Sequence, residues 1–144
     1  MAEYDLTIIS PIKSAGSFLA PHVERLVALA SLPNTQILII DNNEDESELA
    51  EVRRLAEAYI NSGIRLEKNE RDLGVHGSLQ KALDLTQTPY VTYVAADDIL
   101  LPEYVVEAPK ILASCPSVSV VWGRQYFVDV ASQDAPAERK NPFP

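Results

Sequence analysis

A chain of 144 residues, 47% of them hydrophobic, suffices for one domain with a sizeable core, and an aromatic share of only 7% suits an aliphatic sheet covered by helices better than an aromatic-rich sandwich. The formal net charge of −9 speaks against a nucleic-acid partner, which needs clustered Lys and Arg, and requires any anionic ligand to be met locally by a metal ion, an Arg or backbone N–H groups. Cys115 is the only cysteine, so an internal disulfide and a cysteine zinc cluster are both excluded, and a buried thiol in a reducing cytoplasm is the expectation.

Met1 leads straight into a strand-like run without a basic-then-apolar leader, and no stretch approaches the ~20 apolar residues of a membrane span, so no membrane span is expected. Leu6 to Ser10 (LTIIS), ended by Pro11, reads as a buried parallel strand. Leu19, Val23, Leu26, Val27 and Ala30 fall at helical spacing between Phe18 and Leu32, with Ser17 placed to cap and Pro21 tolerated in the first turn. Gln36 to Ile40 (QILII) is a second strand running into the polar turn Asp41 to Asp45. Ser47 then caps a helix with Leu49, Val52, Ala56, Tyr59 and Ile60 on one face, stopping at Asn61, Ser62 and Gly63.

Ile64 to Asn69 is a third strand, and Val75, Leu79, Ala82, Leu83 and Thr86 mark a helix after Gly74 that ends before Pro89. Tyr90 to Ala95 (YVTYVA) is a fourth strand leading into Ala96, Asp97 and Asp98, and another helix starts at Pro102, with a kink or break expected near Glu107 because Pro109 removes an N–H. Val118 to Trp122 (VSVVW) reads as a fifth strand, with Trp122 in the core, and Gln125 to Val130 as a candidate sixth. The stretch from 131 to 144 reads as a linker or severed connection after a domain over 1–130. Strands alternating with helices imply βαβ units, a mostly parallel sheet, and ligands at the carboxyl ends of the strands. Three polar clusters fall there: Ser10 with Pro11, Asp41 with Asn42, and Asp97 with Asp98.

These clusters, together with NERDLGVHGSLQKAL (Asn69 to Leu83), AADDILLPEYV (Ala95 to Val105) and VSVVWG after Pro116, resemble the donor half of family 2 glycosyltransferases of the GT-A fold, over roughly residues 5 to 130. The resemblance implies a Rossmann-like α/β domain, truncated before the acceptor half, that binds a nucleoside-diphosphate sugar, with UDP the expected carrier. It also implies Mg²⁺ or Mn²⁺ on Asp98, with Asp97 holding the ribose or sharing the metal's water shell. The plainer alternative for this pair is helix capping. Ala95 stands where the family commonly has another Asp, which would weaken the metal site.

By the same resemblance, Asp41 and Asn42 face the base, Asn42 replacing an acid; the alternative is an Asx turn. Arg71 would meet base or phosphate, unless it is simply a solvated charge. Gly74 and Gly77 would let backbone approach the ligand or merely permit close packing. His22 and His76 read as helix-surface residues without a role. Inverting transfer needs a carboxylate base, expected beyond residue 144, so this chain is expected to bind donor without transferring sugar. A non-catalytic nucleotide-sugar-binding or assembly module is the competing reading, favoured by Ala95 and Asn42. A dinucleotide oxidoreductase is excluded because no GxGxxG follows the first strand.

Overall fold

The computed structural model of the chain describes residues 5–44, 46–57, 63–123, 126–127 and 137–138. Its elements are β1 (Leu6–Ile12), a 3-10 turn (Gly16–Phe18), α1 (Leu19–Ala30), β2 (Thr35–Asp41), α2 (Glu46–Glu57), β3 (Ile64–Lys68), α3 (Gly74–Leu85), β4 (Tyr90–Tyr93), α4 (Pro102–Ser114), β5 (Tyr126–Phe127) and β6 (Ala137–Glu138). The chain divides into two units, residues 1–110 and 111–144, with α4 crossing the division. The second contains the short antiparallel pair of β5 and β6. Among the described residues, no helix is long and apolar enough to cross a membrane.

The first unit is built on a four-stranded sheet in the order β3-β2-β1-β4, every neighbouring pair parallel. Side chains alternate between sheet faces; both faces of β1 and β2 are covered, while Val91 and Tyr93 of β4 are exposed. Leu6, Ile8, Ile12, Ile37 and Ile39 join Val23, Leu26 and Leu29 of α1, Val52 of α2 and Val105 of α4 in one core. Ile9, Leu38 and Ile40 pack on the opposite face with Ala82, Leu79 and Leu85 of α3. A three-layer α/β unit results, as the unbroken apolar runs of β1 and β2 imply.

Several expectations are corrected. β1 does not end at Pro11 but continues to Ile12. Parallel strands turn successive backbone groups to alternate sides. The Ile9 carbonyl accepts from Val94 N on the β4 side at 3.0 Å, and the Ile12 carbonyl accepts from Asn42 N on the β2 side at 2.9 Å. Pro11 therefore turns its backbone toward the β4 side, where the next donor of the ladder would be the N–H it lacks, and pairing with β4 stops at Tyr93. Ser17 lies in the 3-10 turn and Phe18 precedes α1 without a side-chain cap. Pro109 does not end α4, which runs on to Ser114; the proline removes one N–H, and the turns on either side keep theirs.

In the second unit, Val118 to Trp122 forms no strand: the segment is irregular, Trp122 is 85% exposed, and Cys115 is exposed rather than buried. β-propensity alone does not decide whether such a run is laddered into a sheet. Of the candidate sixth strand only Tyr126–Phe127 is described, as β5. Tyr59 to Ser62, expected to end α2, and the tail from 131 apart from Ala137–Glu138 lie outside the described residues.

Candidate functional site

The strand order reverses between β1 and β4, since β2 and β3 extend the sheet on one side of β1 and β4 on the other. Crossovers leaving β1 and β4 in opposite directions open a crevice beyond their carboxyl ends, the usual ligand position in a doubly wound sheet. A cavity of ≈ 490 Å³ lies there, lined among others by Pro11, Lys13, Asn42, Asp72, Gly74 and Asp97. That is within the usual size of a small-molecule site.

A hydrogen-bonded network forms one wall. Asn42 Oδ1 accepts from Asn69 Nδ2 at 2.7 Å and from Leu73 N at 3.0 Å, while Asn42 Nδ2 donates to Asp72 Oδ1 at 2.6 Å. Asn69 Nδ2 also donates to Ser78 Oγ at 2.9 Å, and Ser78 Oγ donates to Gly74 O at 2.7 Å. Asp72 Oδ1 further accepts from Gly74 N at 2.8 Å, and Asp72 Oδ2 accepts from Lys13 Nζ. Those donors, Lys13 foremost, then Gly74 N and Asn42, hold the Asp72 carboxyl at about 2, and Asp72 in turn raises Lys13. Gly74 takes φ +63, a left-handed conformation that favours glycine. A side chain at Gly77 would come within 2.8 Å of Leu73 Cβ, so Gly77 permits the close packing that aims Leu73 N at Asn42.

A second set of bonds shapes the floor. Asp41 Oδ1 accepts from Asn43 N at 3.0 Å, an Asx turn, and from Asn43 Nδ2 at 2.8 Å, and Asn43 Oδ1 accepts from Ser14 N at 2.8 Å. This ties the end of β2 to the loop after β1, where Ser14 is held at φ 50. Asp41 and Asn43 are buried, and Asp41 Oδ2 has no hydrogen-bond partner among the described residues.

Of the residues singled out from the sequence, the cavity brings together Pro11, Asn42, Gly74 and Asp97. Asp41, Arg71 and Asp98 are not in its lining: Asp41 is buried in its turn, and Arg71 and Asp98 are exposed. Neither Asp97 nor Asp98 caps α4, which begins only at Pro102; they lie in a turn closed by Asp98 N donating to Ala95 O at 3.1 Å. Among the described residues no three Asp, Glu, His or Cys converge as a metal cage. Asp97 lines the crevice and Asp98 follows it in the turn; such a pair of carboxylates would suit a divalent ion whose remaining ligands are water and phosphate oxygens, as Mg²⁺ prefers. Sequence reasoning passed over Lys13 and Asp72. Lys13 stands two residues past Pro11 at a strand end, a signal that was available.

His22 is a correction: it is 1% exposed, not a surface residue, and shares a 2.7 Å hydrogen bond with the buried Ser10 hydroxyl. Its spacing of four and seven residues from Leu26 and Leu29, both buried on α1, places it on the core face. Burial, then the nearby Arg25 guanidinium, push the imidazole from its ordinary 6.5 down to about 4, while Asp97 pulls it upward. The unfolded chain therefore takes up the proton first. The stabilisation is complete above pH 6.5 and is lost as pH falls toward 4, an expected loss of about 3 kcal/mol. Urea unfolding between pH 7 and 4 reads it, and His22→Gln, which does not titrate in this range, is expected to flatten the slope.

Residues 7–141 match the profile described as Glycosyl transferase family 2. The chain is 26% identical over 95 residues to an uncharacterised glycosyltransferase of Methanocaldococcus jannaschii, a match covering 65% of this chain and 31% of that protein. Among solved structures, its fold is similar to a mannosyltransferase from Pyrobaculum calidifontis in complex with GDP-Man and Mn²⁺, with a TM-score of 0.66, 19% identity, and coverage of 77% of this chain and 33% of the other. It is also similar to TarS of S. aureus in complex with UDP-GlcNAc, with a TM-score of 0.62, 16% identity, and coverage of 76% and 31%. The chain thus spans about a third of the length of these relatives.

Proposed function

The chain belongs to glycosyl transferase family 2, and from that premise we propose that its crevice takes the nucleoside-diphosphate sugar of an inverting transfer, with Mg²⁺ or Mn²⁺ on Asp98 and Asp97 bridging to the diphosphate. The observation that carries this reading is the convergence of Pro11, Asn42, Gly74 and Asp97 on one cavity at the switch point of the sheet. The metal would stabilise charge developing on the leaving diphosphate. Gly74 leaves its side of the crevice without a side chain, and Asp97 stands where β4 delivers it.

Asn42 Oδ1 already receives two hydrogen bonds and Nδ2 gives one, so its unspent group is a single amide hydrogen. That hydrogen suits a ring carbonyl, which uracil and guanine both carry. UDP remains the proposed carrier, and GDP belongs in the same test, because one similar structure holds GDP-Man and another UDP-GlcNAc. The attacking hydroxyl's base is proposed to lie beyond residue 144, in keeping with the third of its relatives that this chain spans. A lone cysteine, leaving no internal disulfide, supports a cytoplasmic setting.

Calorimetric titration with UDP and GDP in the presence of Mn²⁺, followed by a transfer assay, tests the reading: binding without turnover is expected. No affinity for either nucleotide would overturn it, and turnover would place the base within these residues. Ala95 and the internal commitments of Asn42 favour a second reading, a binding module without chemistry. A parent protein that carries this region and binds donor, yet transfers nothing to any acceptor, would support it.

A further inference from the structure

The cavity is lined by two carboxylates, Asp72 and Asp97, and, among the described residues, by one cation, Lys13. Lys13 and Asp72 are 59 residues apart in the chain, on the loop after β1 and the loop before α3, and they meet as an ion pair at the crevice. We propose that Lys13 is the residue that grips the donor's diphosphate, exchanging Asp72 for it when the ligand enters. The inference rests on the donor-site reading above and names the cation of that site.

Three features support the exchange. Lys13 is partly exposed in the pair, so its ammonium can leave Asp72 with little desolvation to regain. Asp72 is not orphaned by that departure, since Gly74 N at 2.8 Å and Asn42 Nδ2 at 2.6 Å still satisfy Oδ1, and water reaches the exposed Oδ2. The loop presenting Lys13 is held in place, because Ser14 N is fixed by Asn43, itself fixed by Asp41. Only the lysine side chain has to move. Glu44 adds to the negative field around Lys13, behind Asp72 in strength, so the ammonium keeps its charge. Arg71, in the loop that carries Asp72, is exposed and outside the lining, and is less well placed for the task.

The test is calorimetric titration of the full chain, with Mn²⁺, against the nucleoside diphosphates UDP and GDP and the nucleosides uridine and guanosine. Lys13→Met is expected to weaken the preferred diphosphate at least 10-fold while leaving its nucleoside within 2-fold. Lys13→Arg is expected to restore most of the loss. Asp72→Asn keeps an acceptor for Gly74 and Asn42 and releases Lys13, so it is expected to tighten the diphosphate several-fold. Lys110→Met removes the same charge from the exposed surface of α4 and is expected to change neither ligand, which separates a local contact from the overall field. A Lys13→Met chain that binds diphosphate like the parent, or loses nucleoside and diphosphate equally, overturns the assignment of Lys13 alone. A parent that binds neither diphosphate overturns the donor site itself.

Discussion

Adding EDTA to the chain loaded with Mn²⁺ and its nucleoside diphosphate is expected to lower the affinity at least about 1000-fold, or ~4 kcal/mol. Among the described residues the crevice is lined by one ammonium against the carboxylates of Asp72 and Asp97, with Asp98 next in the chain, in a protein of net charge −9. A diphosphate entering without a cation meets that field directly, and a divalent ion on Asp97 and Asp98 reverses its sign where the phosphates lie. Asp98→Ala is expected to act in the same direction but less completely, because Asp97 remains. Asp98 is exposed, so stability should move by less than about 0.5 kcal/mol. Calorimetry before and after chelation checks both. Equal affinity with and without metal would remove the ion from the site.

Asp41→Ala is expected to cost about 4 kcal/mol of stability. The carboxylate is buried and accepts from both Asn43 N and Asn43 Nδ2, so the substitution removes two bonds to a charged group and leaves two buried donors unmet. Relief of the unpartnered Oδ2 offsets part of that loss. Asn43 would then release Ser14 N, and the loop carrying Lys13 would lose its anchor. Urea unfolding reads the stability, and nucleotide titration of the fraction still folded reads the site. Unchanged stability with lost nucleotide binding would instead make Asp41 a base contact.

The contrast between Asp41 and Asn42 marks how far the sequence is legible. Unbroken apolar runs such as QILII and LTIIS announce strands buried on both faces, and their alternation with helices implies a parallel sheet. The helices followed from apolar spacing, and the place of the crevice from the rule for parallel sheets. Which loop residue faces the crevice depended instead on carrying the two-residue alternation past the end of β2. Asp41 keeps the parity of Ile37 and Ile39, while Asn42 keeps that of Leu38 and Ile40 and so meets the residues leading into α3. The pairing of Lys13 with Asp72 was out of reach for a different reason: it is a tertiary contact across 59 residues. Val118 to Trp122 was misread because β-propensity alone does not decide whether a run becomes a strand.

Pro11 has one more effect on the gap it borders. The last bond from the β4 side reaches β1 at Ile9, from Val94 N, and an unpaired strand flank can recruit an extended segment. A foreign peptide laid alongside would find, at the position where it needs an N–H donor, a proline nitrogen that has none. The cleft thus admits a small ligand while the end of β1 that borders it offers no donor for strand addition on that side.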